Sequence, residues 1–141
     1  MFSNRIYIGW LRIACVITIL VGLMAAAASH PLGEAPWLLL FDLLAWPLDG
    51  HPAAFPFTAR AINAVLGGVM VGWACMMLLL VRGPLRKGDA SVRRMMLIGL
   101  IAWFVVDSAG SFAAGIPGNV VLNVIFLFLF LPPLLAYRID Q

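Results

Sequence analysis

The sequence predicts an all-α, polytopic membrane protein: a bundle of four transmembrane helices with a short interfacial helix in its first connecting loop. Three observations support this prediction. Of 141 residues, 64% are hydrophobic and only 11% are charged, whereas soluble domains carry about 25% charged residues. The apolar residues are gathered into runs long enough to cross a bilayer, and the basic residues flank those runs. The length corresponds to a single domain, residues 1–141.

Four apolar runs match the roughly 20 residues that a helix needs to cross the hydrocarbon core. The first follows Arg5, the second lies between Arg60 and Arg82, and the third follows Arg94. Residues 115–119, which contain two glycines and a proline, join the third run to the fourth in a tight antiparallel hairpin. The predicted spans are residues 6–29, 61–81, 95–114 and 120–137.

A fifth apolar stretch, residues 37–46, is too short to span the membrane. It contains Asp42, it is bracketed by Pro36 and Pro47, and it has a tryptophan at each end. Because indole rings prefer the membrane interface, this pattern predicts a short helix that lies in the interface.

The basic residues predict the orientation, since Lys and Arg are retained on the cytoplasmic side. With the N-terminus inside, only Arg60 lies outside, and the loop of residues 30–59 carries acidic residues but no Lys or Arg. We therefore expect a multi-pass protein of the bacterial inner membrane with both termini in the cytoplasm. The net charge of +3 is then explained by topology, so the lipid bilayer is the predicted partner and nucleic acid is not.

Small residues at helical spacing predict where the helices pack, because helices in lipid associate through close backbone approach. Such stripes occur on each of the first three predicted spans. We predict packing positions at Gly22 in the first, Gly68 and Gly72 in the second, and Gly110 in the third. A stripe that remains uncovered would be available to a partner membrane protein or to a second copy in a homo-oligomer.

Asp107 is the residue with the greatest chemical interest. It lies well inside the third span, and a charged carboxylate near the bilayer centre costs roughly 2.5–3.5 kcal/mol. We therefore expect it to face the bundle within a polar cluster, either as a binding or proton-linked site or as a structural hydrogen-bond network that sets the helix register. The predicted members of the cluster besides Asp107 are Arg60, Asn63, Ser108, Ser111, Asn119 and Asn123.

The sequence lacks the residues that several classes of membrane protein require for their activity. Closely paired cysteines of thiol–quinone oxidoreductases are absent, and both histidines, His30 and His51, lie in the outer loop rather than on spanning helices as haem ligands would. The first helix has no acidic residue of the kind used by small multidrug exporters, and hydrolase, Walker and zinc-protease motifs are absent. We predict no metal, no cofactor and no catalytic residue.

Two segments carry a family resemblance. The first is Arg60-Ala61-x-x-Ala64-Val65-x-Gly67-Gly68, and the second is Trp103-Phe104-Val105-Val106-Asp107-Ser108-x-Gly110-Ser111. Together they resemble small bacterial four-helix membrane proteins of the broad DoxX/DUF4345-like grouping. The resemblance implies a bacterial four-helix bundle with an accessory role, and it transfers no catalytic residues.

These observations favour a non-enzymatic bundle that acts as an accessory or interaction subunit of a membrane complex. Two alternatives stay open. One is a homo-oligomeric small-molecule or proton-linked transporter in which Asp107 titrates. The other is a membrane enzyme that acts on a lipid or quinone.

Overall fold

The computed structural model describes residues 4–45, 50 and 53–138, and within these residues the chain is helical with no β-strand. Four helices are long and apolar enough to cross a membrane, and one helix is short. The predicted fold class is confirmed. The helices are α1 (Asn4–Ala27), α2 (Ala35–Leu44), α3 (Phe57–Arg82), α4 (Ala90–Ala113) and α5 (Pro117–Ala136).

The helices α3, α4 and α5 begin earlier than hydropathy predicts, because polar caps and prolines start them before the apolar runs. Asp89 caps α4: its Oδ1 accepts hydrogen bonds from the backbone N–H groups of Ser91 at 2.9 Å and Val92 at 3.2 Å. Pro117 occupies the first turn of α5, where a missing N–H costs nothing. Gly115, with φ of +75°, ends α4 in a left-handed turn that leads directly into α5.

The first helix lies at the centre of the bundle. It packs most extensively against α3 and also against α5, while α4 packs against α5. The lateral order is therefore α3, α1, α5, α4. Helices α3 and α4, although consecutive in the chain, have no extended backbone contact along their lengths, both of which are fully described. This arrangement leaves a gap between α3 and α4.

One end of the bundle, which we call the basic end, holds Asn4 and Arg138, the first and last described residues, and the turn between α3 and α4. Its core contains fully buried Leu11, Leu85 and Leu100. Asn4 and Arg138 exchange two hydrogen bonds: Asn4 Nδ2 donates to the Arg138 carbonyl at 2.8 Å, and the Arg138 N–H donates to Asn4 Oδ1 at 3.1 Å. Arg93 donates to the Tyr137 carbonyl at 3.0 Å. The start of α1 is thus joined to the segment after α5, and that segment is joined to α4.

At the opposite end, which we call the α2 end, the short helix α2 covers the bundle. Trp37 is buried against Ala25 and Ala28 of the first helix and its following turn. Gly118 at the start of α5 lies so close to the end of α2 that a Cβ there would come within 2.8 Å of the Leu44 Cα. The predicted short helix is present, although its predicted last residue, Trp46, lies outside the described residues.

The predicted packing glycines require a correction. A Cβ built on Gly22 would come within 2.9 Å of the Met70 Cβ, so Gly22 does lie at the α1–α3 contact. Its counterpart on α3 is Gly67, whose Cβ would come within 2.5 Å of the Gly22 carbonyl oxygen. Gly68, Gly72 and Gly110 have no such neighbour within 4 Å. The reason is rotation: consecutive helical residues point about 100° apart, so the neighbour of a contact glycine faces elsewhere.

Candidate functional site

A cavity of about 360 Å³ lies between the helices toward the α2 end. Each of the five helices contributes to its wall, and α3 and α4 have no extended backbone contact beside it. Most of the lining is apolar: Leu40 and Phe41 come from α2, Leu66 and Val69 from α3, and Leu122 from α5. The size falls in the 300–1,000 Å³ range of small-molecule sites.

Aromatic rings bridge α3 and α4 at the floor of the cavity, on the side of the basic end. Trp73 of α3 and Trp103 of α4 stack with their ring centroids 6.2 Å apart. Phe130 lies 5.6 Å from Trp73, and Phe126 lies 6.5 Å from Trp103. Because Phe130 is fully buried in the core of the basic end, this cluster closes the cavity in that direction.

The polar wall is formed by the α4–α5 hairpin. Asp107 Oδ1 accepts hydrogen bonds from the Ser111 hydroxyl at 3.0 Å and from Asn119 Nδ2 at 3.0 Å. Asn119 Nδ2 also donates to Ser111 Oγ at 2.7 Å, which closes a three-residue network. Asp107 and Ser111 lie one turn apart on α4, and the short turn at Gly115 brings the start of α5 to their level.

A second polar pair lies beside this network. Asn123 Nδ2 donates to Ser108 Oγ at 3.2 Å. Asn123 lies one turn beyond Asn119 on α5, so both amides occupy the same face. Asp107, Asn119 and Asn123 all line the cavity. The hairpin therefore presents one carboxyl and two amides to a space whose remaining lining is mostly apolar.

Arg60 and Asn63 belong to a different contact, which corrects the predicted cluster. Arg60 donates through Nε and a terminal nitrogen to Glu34 Oε2, at 3.2 and 3.1 Å. The Asn63 Oδ1 accepts from Trp37 Nε1 at 3.1 Å. Both pairs attach α3 to α2 and to the residue that precedes it. These two side chains therefore hold α2 in place and do not reach Asp107.

Of the seven predicted cluster members, Asp107, Ser111 and Asn119 form one network, Ser108 and Asn123 form the adjacent pair, and Arg60 and Asn63 lie elsewhere.

The aromatic floor was not predicted from the sequence. The signal that could have found it is the pair Trp73 and Trp103, since both indoles lie within the spans and away from the interfaces where tryptophan is usually enriched.

Comparison of the chain with protein-family models, with curated proteins and with solved structures finds no match. The function of the protein is therefore inferred from the geometry of the cavity.

Proposed function

We propose that the protein binds a small amphiphilic molecule in the cavity, and that this molecule enters sideways from the lipid through the gap between α3 and α4. The observation that carries the proposal is the pairing of an apolar cavity with a polar wall. An apolar body would lie against the aliphatic and aromatic lining, and a polar head would meet the α4–α5 hairpin. Cavities of this size with few convergent polar groups are typical of ligand sites.

The gap between α3 and α4 supports lateral entry. Neither helix packs along the other, and Val69 of α3, which lines the cavity, is 64% exposed. A ligand that already resides in the bilayer would not need to cross water to reach such an opening. The aromatic floor closes the cavity toward the basic end, which favours a binding site over a path through the bundle.

The predicted role as an accessory subunit stays a prediction. The open face of α3 at Gly68 and Gly72 is the surface that supports it, because small residues allow another membrane helix to approach closely. Ligand binding and subunit association are compatible, since the cavity and this face are separate.

We further propose that the basic end faces the cytoplasm of a bacterium, so that the cavity lies in the outer half of the inner membrane. The support is the concentration of Lys and Arg at that end. Fusions at residue 141 are expected to make green fluorescent protein fluoresce and to leave alkaline phosphatase inactive. An active phosphatase at residue 141 would reverse the proposed orientation.

The binding proposal is tested with 4-nonylphenol as a model amphiphile and the protein in lipid nanodiscs. Saturable binding is followed by tryptophan emission excited at 295 nm, with empty nanodiscs as the correction for partitioning. The variant Leu122→Trp fills the cavity and is expected to abolish saturable binding. Leu135→Trp is the matched control, because Leu135 is on the same helix, is 61% exposed and does not line the cavity.

Val21→Phe, which narrows the cavity from α1, is the second blocking variant if Leu122→Trp does not fold. The absence of saturable binding to the wild-type protein, or equal binding by the blocked variants and the control, would refute the proposal.

A further inference from the structure

We propose that the bound amphiphile is an uncharged lipophile whose head is a hydroxyl group, held between Asp107 Oδ2 and the side-chain amide of Asn123. This inference rests on the proposed binding function and specifies the chemistry of the ligand. It follows from which polar atoms of the α4–α5 hairpin already make hydrogen bonds within the protein and which do not.

The internal partners of Asp107 use only one of its oxygens. Both hydrogen bonds, from Ser111 and Asn119, are donated to Oδ1. No described residue donates to Oδ2, yet this atom is not sealed inside the protein, in contrast to the Asn63 Nδ2, which is buried without a partner. Because Asp107 lines the cavity, we place this unpaired oxygen at the cavity as an acceptor.

Three of the neighbouring donors have no hydrogen left for that acceptor. The Ser111 hydroxyl hydrogen is given to Asp107, and an Asn side chain has two amide hydrogens, both of which Asn119 uses on Asp107 and Ser111. The Thr18 hydroxyl, elsewhere on the lining, donates to the Ala14 carbonyl at 2.9 Å. Asn123 and Ser108 carry further hydrogens but donate none to Oδ2, so this oxygen is open to a donor from the ligand.

Asn123 supplies the complementary group. One hydrogen of its Nδ2 is donated to Ser108 Oγ, and the second has no acceptor among the residues that the structure describes. Asn123 is only 3% exposed, so water does not readily replace the missing partner. An oxygen of the ligand would accept this hydrogen.

A hydroxyl group meets both requirements, because it has one hydrogen to donate and lone pairs to accept. An alkylammonium head has donors only and would leave the Asn123 hydrogen without an acceptor. Carboxylate and fully ionised phosphate heads bring a second acid beside Asp107 and have no hydrogen to donate. An ether or ketone accepts but cannot donate. A hydroxyl is thus a head group that can donate to Asp107 Oδ2 and accept from Asn123 Nδ2 through one atom.

The experiment compares 4-nonylphenol with 4-nonylanisole, the methyl ether that lacks only the donated hydrogen. Each affinity is measured in nanodiscs as above and normalised to partitioning into empty nanodiscs. A hydrogen bond to a carboxyl group predicts a preference for the phenol of roughly tenfold to a hundredfold in the wild-type protein.

The variant Asp107→Asn distinguishes this site from others. The amide has one oxygen, which the Ser111 and Asn119 donors retain, so the group turned to the cavity becomes an NH₂ donor. The phenol preference is expected to fall to about one. Asp89→Asn is the matched control on the same helix, because Asn also caps helices well and residue 89 lies at the basic end. It should keep the full preference.

The outcomes separate the two proposals. Saturable binding of both probes with equal affinity would overturn the hydroxyl head and leave the binding function standing. An undiminished phenol preference in Asp107→Asn would overturn the placement at Asp107, and Asp107→Ala, which removes the acceptor and should also lower the preference, replaces it if that variant does not fold. Asn123→Ala should weaken both probes about equally, because both probe oxygens can accept its hydrogen. If neither probe binds saturably, the binding function itself fails.

Discussion

Substitution of Gly67 tests whether the centre of the bundle depends on direct backbone contact between α1 and α3. A Cβ added at Gly67 would lie 2.5 Å from the Gly22 carbonyl oxygen and 2.7 Å from the Ala26 Cα, and it would also meet the Ala26 backbone nitrogen. Ordinary Cβ contacts begin at 3.4 Å, so the two helices must separate by about 1 Å. Backbone atoms cannot rotate aside as a flexible side chain would.

That separation weakens many contacts at once. A gap of ~0.5–1 Å removes about a quarter to a half of each atom pair's attraction, and over-packing of a core typically costs about 1–3 kcal/mol. We expect Gly67→Ala to lower the free energy of unfolding by that amount. The measurement is an SDS titration in mixed micelles, followed by far-ultraviolet circular dichroism and tryptophan emission.

Gly68→Ala provides the control for Gly67→Ala, since the two glycines are adjacent on one helix and a Cβ at Gly68 meets nothing within 4 Å. Alanine is the better helix former by about 1 kcal/mol in water, so this variant should be neutral or more stable than the wild type. Equal unfolding free energies for the two variants would refute the argument from close approach.

Two further predictions concern the attachment of α2. Trp37→Phe removes the indole donor from Asn63 Oδ1, and since Asn63 is only 4% exposed, the loss should lower the free energy of unfolding by about 1–3 kcal/mol. Adding Asn63→Leu should recover part of that free energy in the same SDS titration. A double variant less stable than Trp37→Phe alone would contradict the reasoning. The Arg60–Glu34 pair is partly exposed at 28% and 12%, so Arg60→Gln should cost at most about 1 kcal/mol. That difference should shrink between low and high salt, and a salt-independent loss would argue against an ionic contribution.

The fold was largely predictable because lipid imposes strong constraints on a chain. Hydrocarbon thickness sets the length of a span, and backbone hydrogen bonds must be satisfied within each helix. Composition and run length were therefore enough to predict four spans and a short fifth helix. The helix starts were less predictable, because Asp89 and Pro117 act as local caps that a hydropathy pattern does not weigh.

The candidate site was predictable only where the chain itself sets the geometry. Asp107 and Ser111 are one turn apart, and a short turn brings Asn119 to their level, so local spacing sufficed. The partners of Arg60 and Asn63 depend on how α2 folds back across the bundle, which no local pattern encodes. The same limit applies to the glycines: a stripe identifies a face of small residues, but which helix covers it depends on the rotation of each helix in the assembled bundle.

The central position of α1 has a consequence for biosynthesis. Of the five helices, α1 leaves the ribosome before its main neighbour, α3, and it meets α5 only after the three intervening helices have been made. The reciprocal hydrogen bonds between Asn4 and Arg138 can form only after α5 has been synthesised. Removal of α5 would leave α1 exposed to lipid along the flank that α5 normally covers.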